Sequence, residues 1–232
     1  MKSELLALAH SVTDTLFPPR CVHCGAAGAL FCAQCEKQSP RLDPAACCRR
    51  CGLPSRSATC EPCFLNPPAL DRVYAVFQYD GPLSDAVQAL KYDDIRALAP
   101  RLAELMHEQV YGPRTDVDFL VPAPMHSSRM RSRGYNQSEL LARHVGRATG
   151  AVVETRFLKR VHNTAPQARA LSEQQRKRNV AGAFEASDEV SGRRLLLVDD
   201  VMTTGATLNA CGQALKSKGA SWVGALVLAR EL

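Results

Sequence analysis

Aromatic residues are scarce in this 232-residue chain: they make up 6% of it, with a single tryptophan. A dedicated reader of single-stranded nucleic acid stacks bases on several rings, so the scarcity argues against that class. The nearest ring candidates are Phe31, Phe64 and Tyr135. No apolar run approaches the ~18 residues that a membrane-spanning helix needs. The opening "MKSELLALAHSVTDTLFPP" lacks the unbroken apolar core of a secretory signal, because Glu4, His10 and Asp14 interrupt it. Leu5, Leu8, Val12 and Leu16 instead suit one face of an amphipathic helix within residues 1–19. A soluble, cytoplasmic protein with no membrane span is expected. The G-x-x-x-x-G-K-[ST] pattern is also missing, which excludes a Walker-type phosphate loop. There is no low-complexity segment and no repeat beyond a cysteine spacing.

What is present is unevenly distributed. The net charge is +6, yet between His126 and Arg178 twelve basic residues face three acidic ones, so that segment carries +9 and the remainder −3. Such concentration points to an anionic ligand, nucleic acid or polyphosphate, unless the charges are only solvated helix faces. Nine of the ten cysteines lie between Cys21 and Cys63, and Cys211 stands alone. Eight of the nine form C-x-x-C knuckles: Cys21 with Cys24, Cys32 with Cys35, Cys48 with Cys51, Cys60 with Cys63. Two knuckles supply the four thiolates of a tetrahedral zinc ion, so the four predict two structural Zn²⁺ sites with no open coordination position. A disulfide scaffold would need an oxidising compartment. Pairing in sequence order is simpler than a crossed arrangement, which stays open. Cys47 is the odd residue, since only Cys48 has the C-x-x-C spacing to Cys51.

After the Pro-rich "NPPAL", strand-like and helix-like patterns alternate from residue 70 to 232. The strand-like runs are "RVYAVFQY", "VDFLVPAP", "LLLVDD" and "WVGALVLA", several of them apolar without alternation. The fold class is therefore α/β, a mostly parallel sheet covered on both faces, preceded by a small Cys-rich domain at 20–65. Ligands of open α/β sheets bind beyond the carboxyl ends of the strands. "LLLVDDVMTTGATL" places Asp199 and Asp200 there, followed by a turn containing Thr203, Thr204, Gly205, Ala206 and Thr207 and then a helix. Backbone N–H groups at such a turn, with the helix dipole, make a phosphate site, and the threonines add hydroxyl donors. Adjacent carboxylates suit vicinal sugar hydroxyls, directly or by way of hydrated Mg²⁺. A sugar 5-phosphate with a free diol fits both halves. The competing reading is a polar turn with an N-capping threonine.

This stretch resembles the 5-phosphoribosyl-pyrophosphate (PRPP) signature of type I phosphoribosyltransferases. "ALKY" (Ala89–Tyr92), "VPAPMHSSRMRSRGYNQ" (Val121–Gln137) and the segment from Gln167 to Phe184 further resemble the ComF family of phosphoribosyltransferase-like competence proteins, which includes GntX-type members and carries an N-terminal double zinc ribbon. The resemblance implies a ribbon over 20–65 and a phosphoribosyltransferase-like domain over 70–232. It implies that Asp199 and Asp200 hold the ribose hydroxyls, Thr203 to Thr207 the 5-phosphate, and Lys91 the pyrophosphate. Arg129 and Arg133 can both point at that anion, where guanidinium forks suit phosphate oxygens. Asn136 is the expected cap of the following helix, and the polar stretch 158–179, with Arg176 to Arg178, is a candidate lid. Implied ligands are PRPP with Mg²⁺. Single-stranded DNA and other DNA-uptake proteins are candidate partners. Two functions are compatible: pentosyl transfer from PRPP to a nitrogen nucleophile, in DNA uptake and natural transformation or in nucleotide-related metabolism, or an inactive PRPP-sensing or single-stranded-DNA-binding or docking module of a DNA import complex.

Overall fold

The computed structural model describes residues 18–111, 116–161 and 182–232. Most of the expected N-terminal helix, together with Gln167 and Arg176 to Arg178, lies outside the described residues. Compactness divides the chain differently from composition. One unit joins residues 18–40 to Asp80–Leu98, and the other comprises Arg41–Tyr79 and the described residues from Ala99 to Leu232. The cysteine-rich segment is thus shared between the two.

The first unit holds helix α1 (Ala33–Gln38) and helix α3 (Gly81–Tyr92). α3 starts where Asp80 accepts a hydrogen bond from the Gly81 N–H at 2.8 Å and Pro82 occupies the first turn, a place where a missing N–H does no harm. His23, inside the first knuckle, meets Asp85 of α3 at 2.8 Å.

The second unit is built on a five-stranded sheet in the order β1-β7-β6-β2-β3, parallel at every pairing. Its strands are β1 (Arg72–Gln78), β2 (Phe119–Pro122), β3 (Val152–Val153), β6 (Arg194–Met202) and β7 (Trp222–Arg230). Helix α2 (Glu61–Leu65) precedes β1. Leu195 and Leu197 pack with Val223, Ala225 and Val227 in a core that includes Leu208, Cys211 and Leu215 of helix α7 (Ala206–Ser217). Successive strand side chains face opposite ways, so Leu196 and Val198 turn to the other face, where helices α4 (Ala99–Tyr111) and α6 (Gln137–Thr149) pack. Burial on both faces explains the unbroken apolar runs of β6 and β7.

Two expectations need correction. β6 does not end at the aspartate pair but continues to Met202, because β7 goes on pairing with it through Val201↔Ala229 and Met202↔Arg230. Residues 158–160 of the expected polar stretch instead form β4 (Leu158–Arg160), which pairs antiparallel with β5 (Phe184–Ala186) in a ribbon over α7, and 162–179 lie outside the described residues. No described helix is long and apolar enough to cross a membrane.

Candidate phosphate and metal sites

β2 stops pairing with β6 at Pro122↔Val198, while β6 runs on beside β7. The chain leaves β2 towards β3 on one side and leaves β6 towards β7 on the other, so the gap beyond β2 and β6 is the topological switch point of the sheet. Asp199 and Asp200 stand at that overhang.

Asp199 is half-buried. Its Oδ1 accepts from the Ser138 hydroxyl at 2.6 Å and from the Asp200 N–H at 2.9 Å. Asp200 is 3% exposed, and its Oδ1 accepts from the Val201 N–H at 2.6 Å. The pair therefore differs in access, with Asp199 the more open.

Further along, Gly205 adopts φ 77° and ψ 0°, a left-handed conformation that side chains resist. It is the N-cap of α7 and offers no side-chain cap. The Thr204 hydroxyl lies 3.4 Å from the Ala206 N–H, at the outer limit of a hydrogen bond. Hydroxyl capping thus leaves the start of a twelve-residue helix weakly served, where an anion would be stabilised. Thr203 and Thr204 are exposed, Ala206 and Thr207 half-buried, and Gly205 buried.

Arg129 and Arg133 lie on helix α5 (Ser127–Arg133), just past β2. Arg133 donates to Gln137 Oε1 at 2.5 Å, next to Ser138, which holds Asp199. Asn136 caps α6 as expected: its Oδ1 accepts from the Ser138 N–H at 3.1 Å, and its amide donates to the Ala123 carbonyl at 3.0 Å. The residues after β2 are thereby tied through Ser138 to the overhanging part of β6. Lys91 sits in the last turn of α3, in the other compact unit.

Ser138 and His126, which the sequence reading did not single out, lie beside the candidate residues Asp199 and Arg129. His126 caps α5, accepting from the Ser128 N–H at 3.1 Å. Burial, then the charges of Arg160, Arg131 and Arg129, hold this imidazole below its ordinary range. The signal for Ser138 was weak, because only the register of α6 reveals what its hydroxyl reaches. Cys211 is fully buried in α7, and burial first, then the Asp199 charge, pushes its thiol well up, which marks it as inert.

The eight knuckle cysteines gather in sequence order. Cys21, Cys24, Cys32 and Cys35 form one cluster and Cys48, Cys51, Cys60 and Cys63 the other, with the sulfurs of each within 4.8 Å of one another. Four sulfurs about 2.3 Å from one tetrahedral ion stand about 3.8 Å apart. The observed spacings are 3.6 Å for Cys21–Cys35, 3.7 Å for Cys24–Cys32 and 3.7 Å for Cys51–Cys60.

Thiol acidity shows the same demand. Burial raises the Cys21 thiol, but backbone hydrogen bonds at Cys24, Cys32 and His23 outweigh it and bring it to about 6. Cys48 likewise comes down to about 6, burial being outweighed by backbone bonds at Cys60, Arg50 and Cys51. Burial and shared protons push Cys35 and Cys63 up instead, and Cys51 to about 11. Packed thiols ionise at one another's expense unless a divalent ion draws off every proton, so both clusters suit Zn²⁺. Cys47 belongs to neither cluster.

Residues 132–232 match a family model described as a phosphoribosyl transferase domain, and residues 12–64 match a double zinc ribbon domain. The DNA utilization protein YhgH of Salmonella typhimurium (strain LT2) is 35% identical over 208 residues, covering 87% of this chain and 89% of that protein. YhgH of Escherichia coli (strain K12) is 33% identical over 209 residues, with 87% and 91% covered. Competence protein F of Haemophilus influenzae is 31% identical over 225 residues, with 91% and 96% covered. Among solved structures, a glutamine PRPP amidotransferase from B. subtilis aligns at 19% identity over 57% of this chain and 26% of its own, with a TM-score of 0.40. With two four-cysteine clusters ahead of a parallel sheet, and relatives this similar over most of its length, the chain belongs to the ComF family of competence proteins.

Proposed function

We propose that the chain binds PRPP at the β6–α7 turn and, with Mg²⁺, transfers the pentose to a nitrogen nucleophile during the handling of incoming DNA. The observation that carries this reading is the overhang of β6 past β2, which sets two carboxylates and a helix start without a side-chain cap at one switch point. The 5-phosphate takes the backbone N–H groups of Gly205, Ala206 and Thr207 and the hydroxyls of Thr203, Thr204 and Thr207. Asp199 and Asp200 accept hydrogen bonds from the ribose diol. Arg129 and Arg133 meet the pyrophosphate, and the part of Lys91 rests on family resemblance.

A pair of carboxylates together with substrate phosphates is a donor set that suits Mg²⁺. When bound, Mg²⁺ neutralises charge on the departing pyrophosphate. The bond from C1 to the pyrophosphate oxygen breaks with its electron pair going to that oxygen, the bond from nitrogen to C1 forms, and the nitrogen passes its proton to the departing pyrophosphate or to water. The protein positions the ribose and stabilises the leaving charge. The DNA context rests on the names of the relatives, a DNA utilization protein and a competence protein. Incubating the protein with PRPP, Mg²⁺ and a panel of bases, nucleosides and DNA should release pyrophosphate for at least one acceptor. Release with none of them, while PRPP still binds, would leave a binding module without turnover.

A second reading, direct binding of single-stranded DNA, is favoured by the excess positive charge between His126 and Arg178 and by Phe64, which is 76% exposed. Phe31, at 4% exposed, is not available for stacking. Changing Arg176, Lys177 and Arg178 together to alanine should flatten the salt dependence of DNA binding by about two to three units of log–log slope. Undetectable DNA affinity at low salt would remove this reading.

A further inference from the structure

The sheet unit contains a buried arginine that the proposed chemistry does not use. Arg230, at the end of β7, is 5% exposed. Its Nε donates to the carbonyl of Cys51 at 2.9 Å, and Cys51 is a member of the second cysteine cluster. Its Nη1 donates to the carbonyls of Met202 at 3.0 Å, of Thr203, and of Glu231 at 2.5 Å. One planar guanidinium therefore holds the metal knuckle on one edge and the first residues of the phosphate turn on the other. Between them lies a cavity of about 650 Å³, lined by Cys51, Cys60 and Cys63 and, from the turn and α7, by Thr204, Gly205 and Ala206.

We propose that Arg230 is a positioning residue through which zinc at the second cluster sets the geometry of the phosphate turn, so that metal retention and anion binding are coupled. The coupling deepens the PRPP reading and rests on it for the identity of the anion. The physical basis is local. Zinc fixes Cys51 against Cys48, Cys60 and Cys63, the Cys51 carbonyl fixes the plane of the guanidinium, and that plane fixes the two turn carbonyls. A loosened knuckle would release the plane and let the Met202–Gly205 backbone leave the conformation in which its N–H groups converge. The first cluster belongs to the other compact unit. Coupling of this kind is reciprocal: whatever factor zinc gives to anion affinity, the anion must give to zinc affinity.

The test is zinc release from the intact protein into a chromogenic chelator, with and without PRPP and Mg²⁺. PRPP is expected to slow loss of one of the two ions at least threefold and leave the other unchanged. In Cys35→Ser, which keeps only the second cluster whole, the remaining ion should be the protected one. Arg230→Met should abolish the protection and speed loss of that ion, whereas Arg230→Lys, which keeps a donor and a charge, should restore part of it. The wild-type measurement stands even if an Arg230 variant fails to fold. Calorimetry separates the failures. If PRPP does not bind the wild type, the PRPP reading falls, and Arg230 is then judged on whether Arg230→Met still speeds loss of one ion. If PRPP binds while both ions leave at unchanged rates, the coupling is overturned. Unchanged release from a folded Arg230→Met overturns it as well.

Discussion

Replacing Asp199 and Asp200 together by asparagine is expected to lower PRPP affinity in the presence of Mg²⁺ by about a hundredfold to ten-thousandfold. Each lost carboxylate removes a charge-assisted acceptor for a ribose hydroxyl, roughly 1.5–3 kcal/mol, or about ten- to a hundredfold in the dissociation constant. The two are adjacent and bind one diol, so the effects need not add, and the single variants separate them. Asp199→Asn should be the cleaner probe, because an asparagine oxygen can still accept from Ser138. Asp200→Asn disturbs a side chain only 3% exposed. Neither change should unfold the protein, and the double variant should melt no lower than the wild type, since two neighbouring carboxylates repel when no cation lies between them. Calorimetry with PRPP, alongside a thermal melt, decides the matter. Equal affinity in the wild type and both single variants would reduce the β6–α7 turn to a connection between strand and helix.

The second large effect concerns metal. Cys48→Ser should reduce bound zinc from two ions to one per chain, and Cys47→Ser should leave it at two. The consequences of losing either ion should differ. The second cluster is fastened to the sheet: the Val73 N–H donates to the Arg49 carbonyl at 2.7 Å, and Arg50 donates to the Leu70 carbonyl at 2.9 Å while meeting Asp71 at 3.5 Å. Gly52 fits against Val73, where an added Cβ would come within 3.0 Å of its Cγ1. Zinc-finger peptides hold their ion with about 10–16 kcal/mol. Losing roughly 3 kcal/mol of that from a unit this size lowers Tm by roughly 6–12 °C. The sole tryptophan, Trp222, lies on β7 under Arg194 and reports on the sheet unit. Its fluorescence midpoint should drop in Cys48→Ser and move much less in Cys35→Ser. Equal midpoints in the two variants would mean that the second ribbon half is an independent appendage.

Much of the sheet unit could be read from residue patterns, and the reasons are specific. The expected helix after Gly205 and the helix after Asn136 occur where a glycine and an asparagine mark their starts. The unbroken apolar runs of β6 and β7 correctly implied a sheet covered on both faces. Helix α5 was missed because "SSRMRSR" buries no residue and so carries no periodicity. The β4–β5 pairing was missed because its partners are far apart in the chain and each strand is three residues long. Composition divided the chain after the last knuckle, while several contacts that bind the second knuckle to the sheet, such as Val73 N–H to the Arg49 carbonyl, use backbone groups, which leave no trace in side-chain chemistry. Within the site, the aspartate pair was conspicuous because carboxylates rarely follow directly on an unbroken apolar run in a strand. Arg230 offered a comparable sign, a lone guanidinium ending the apolar run "WVGALVLA", that was not used.

The place of β7 between β1 and β6 also has a meaning in time. The Val223 N–H donates to the Asp71 carboxylate across a separation of 152 residues, so β1 is made long before the strand that will flank it. At synthesis rates of about 5–20 residues per second, β1 waits roughly 8–30 s for β7. An apolar strand left with open edges for that long invites pairing with the wrong chain. One of its two edges is served earlier. The ribbon segment that precedes β1 in the chain binds it through Leu42 N–H to the Val76 carbonyl, Val73 N–H to the Arg49 carbonyl, and the bridge Arg41↔Phe77. A metal-set knuckle finished before β1 emerges would act as a nascent-chain guard, halving the exposed edge until β7 arrives.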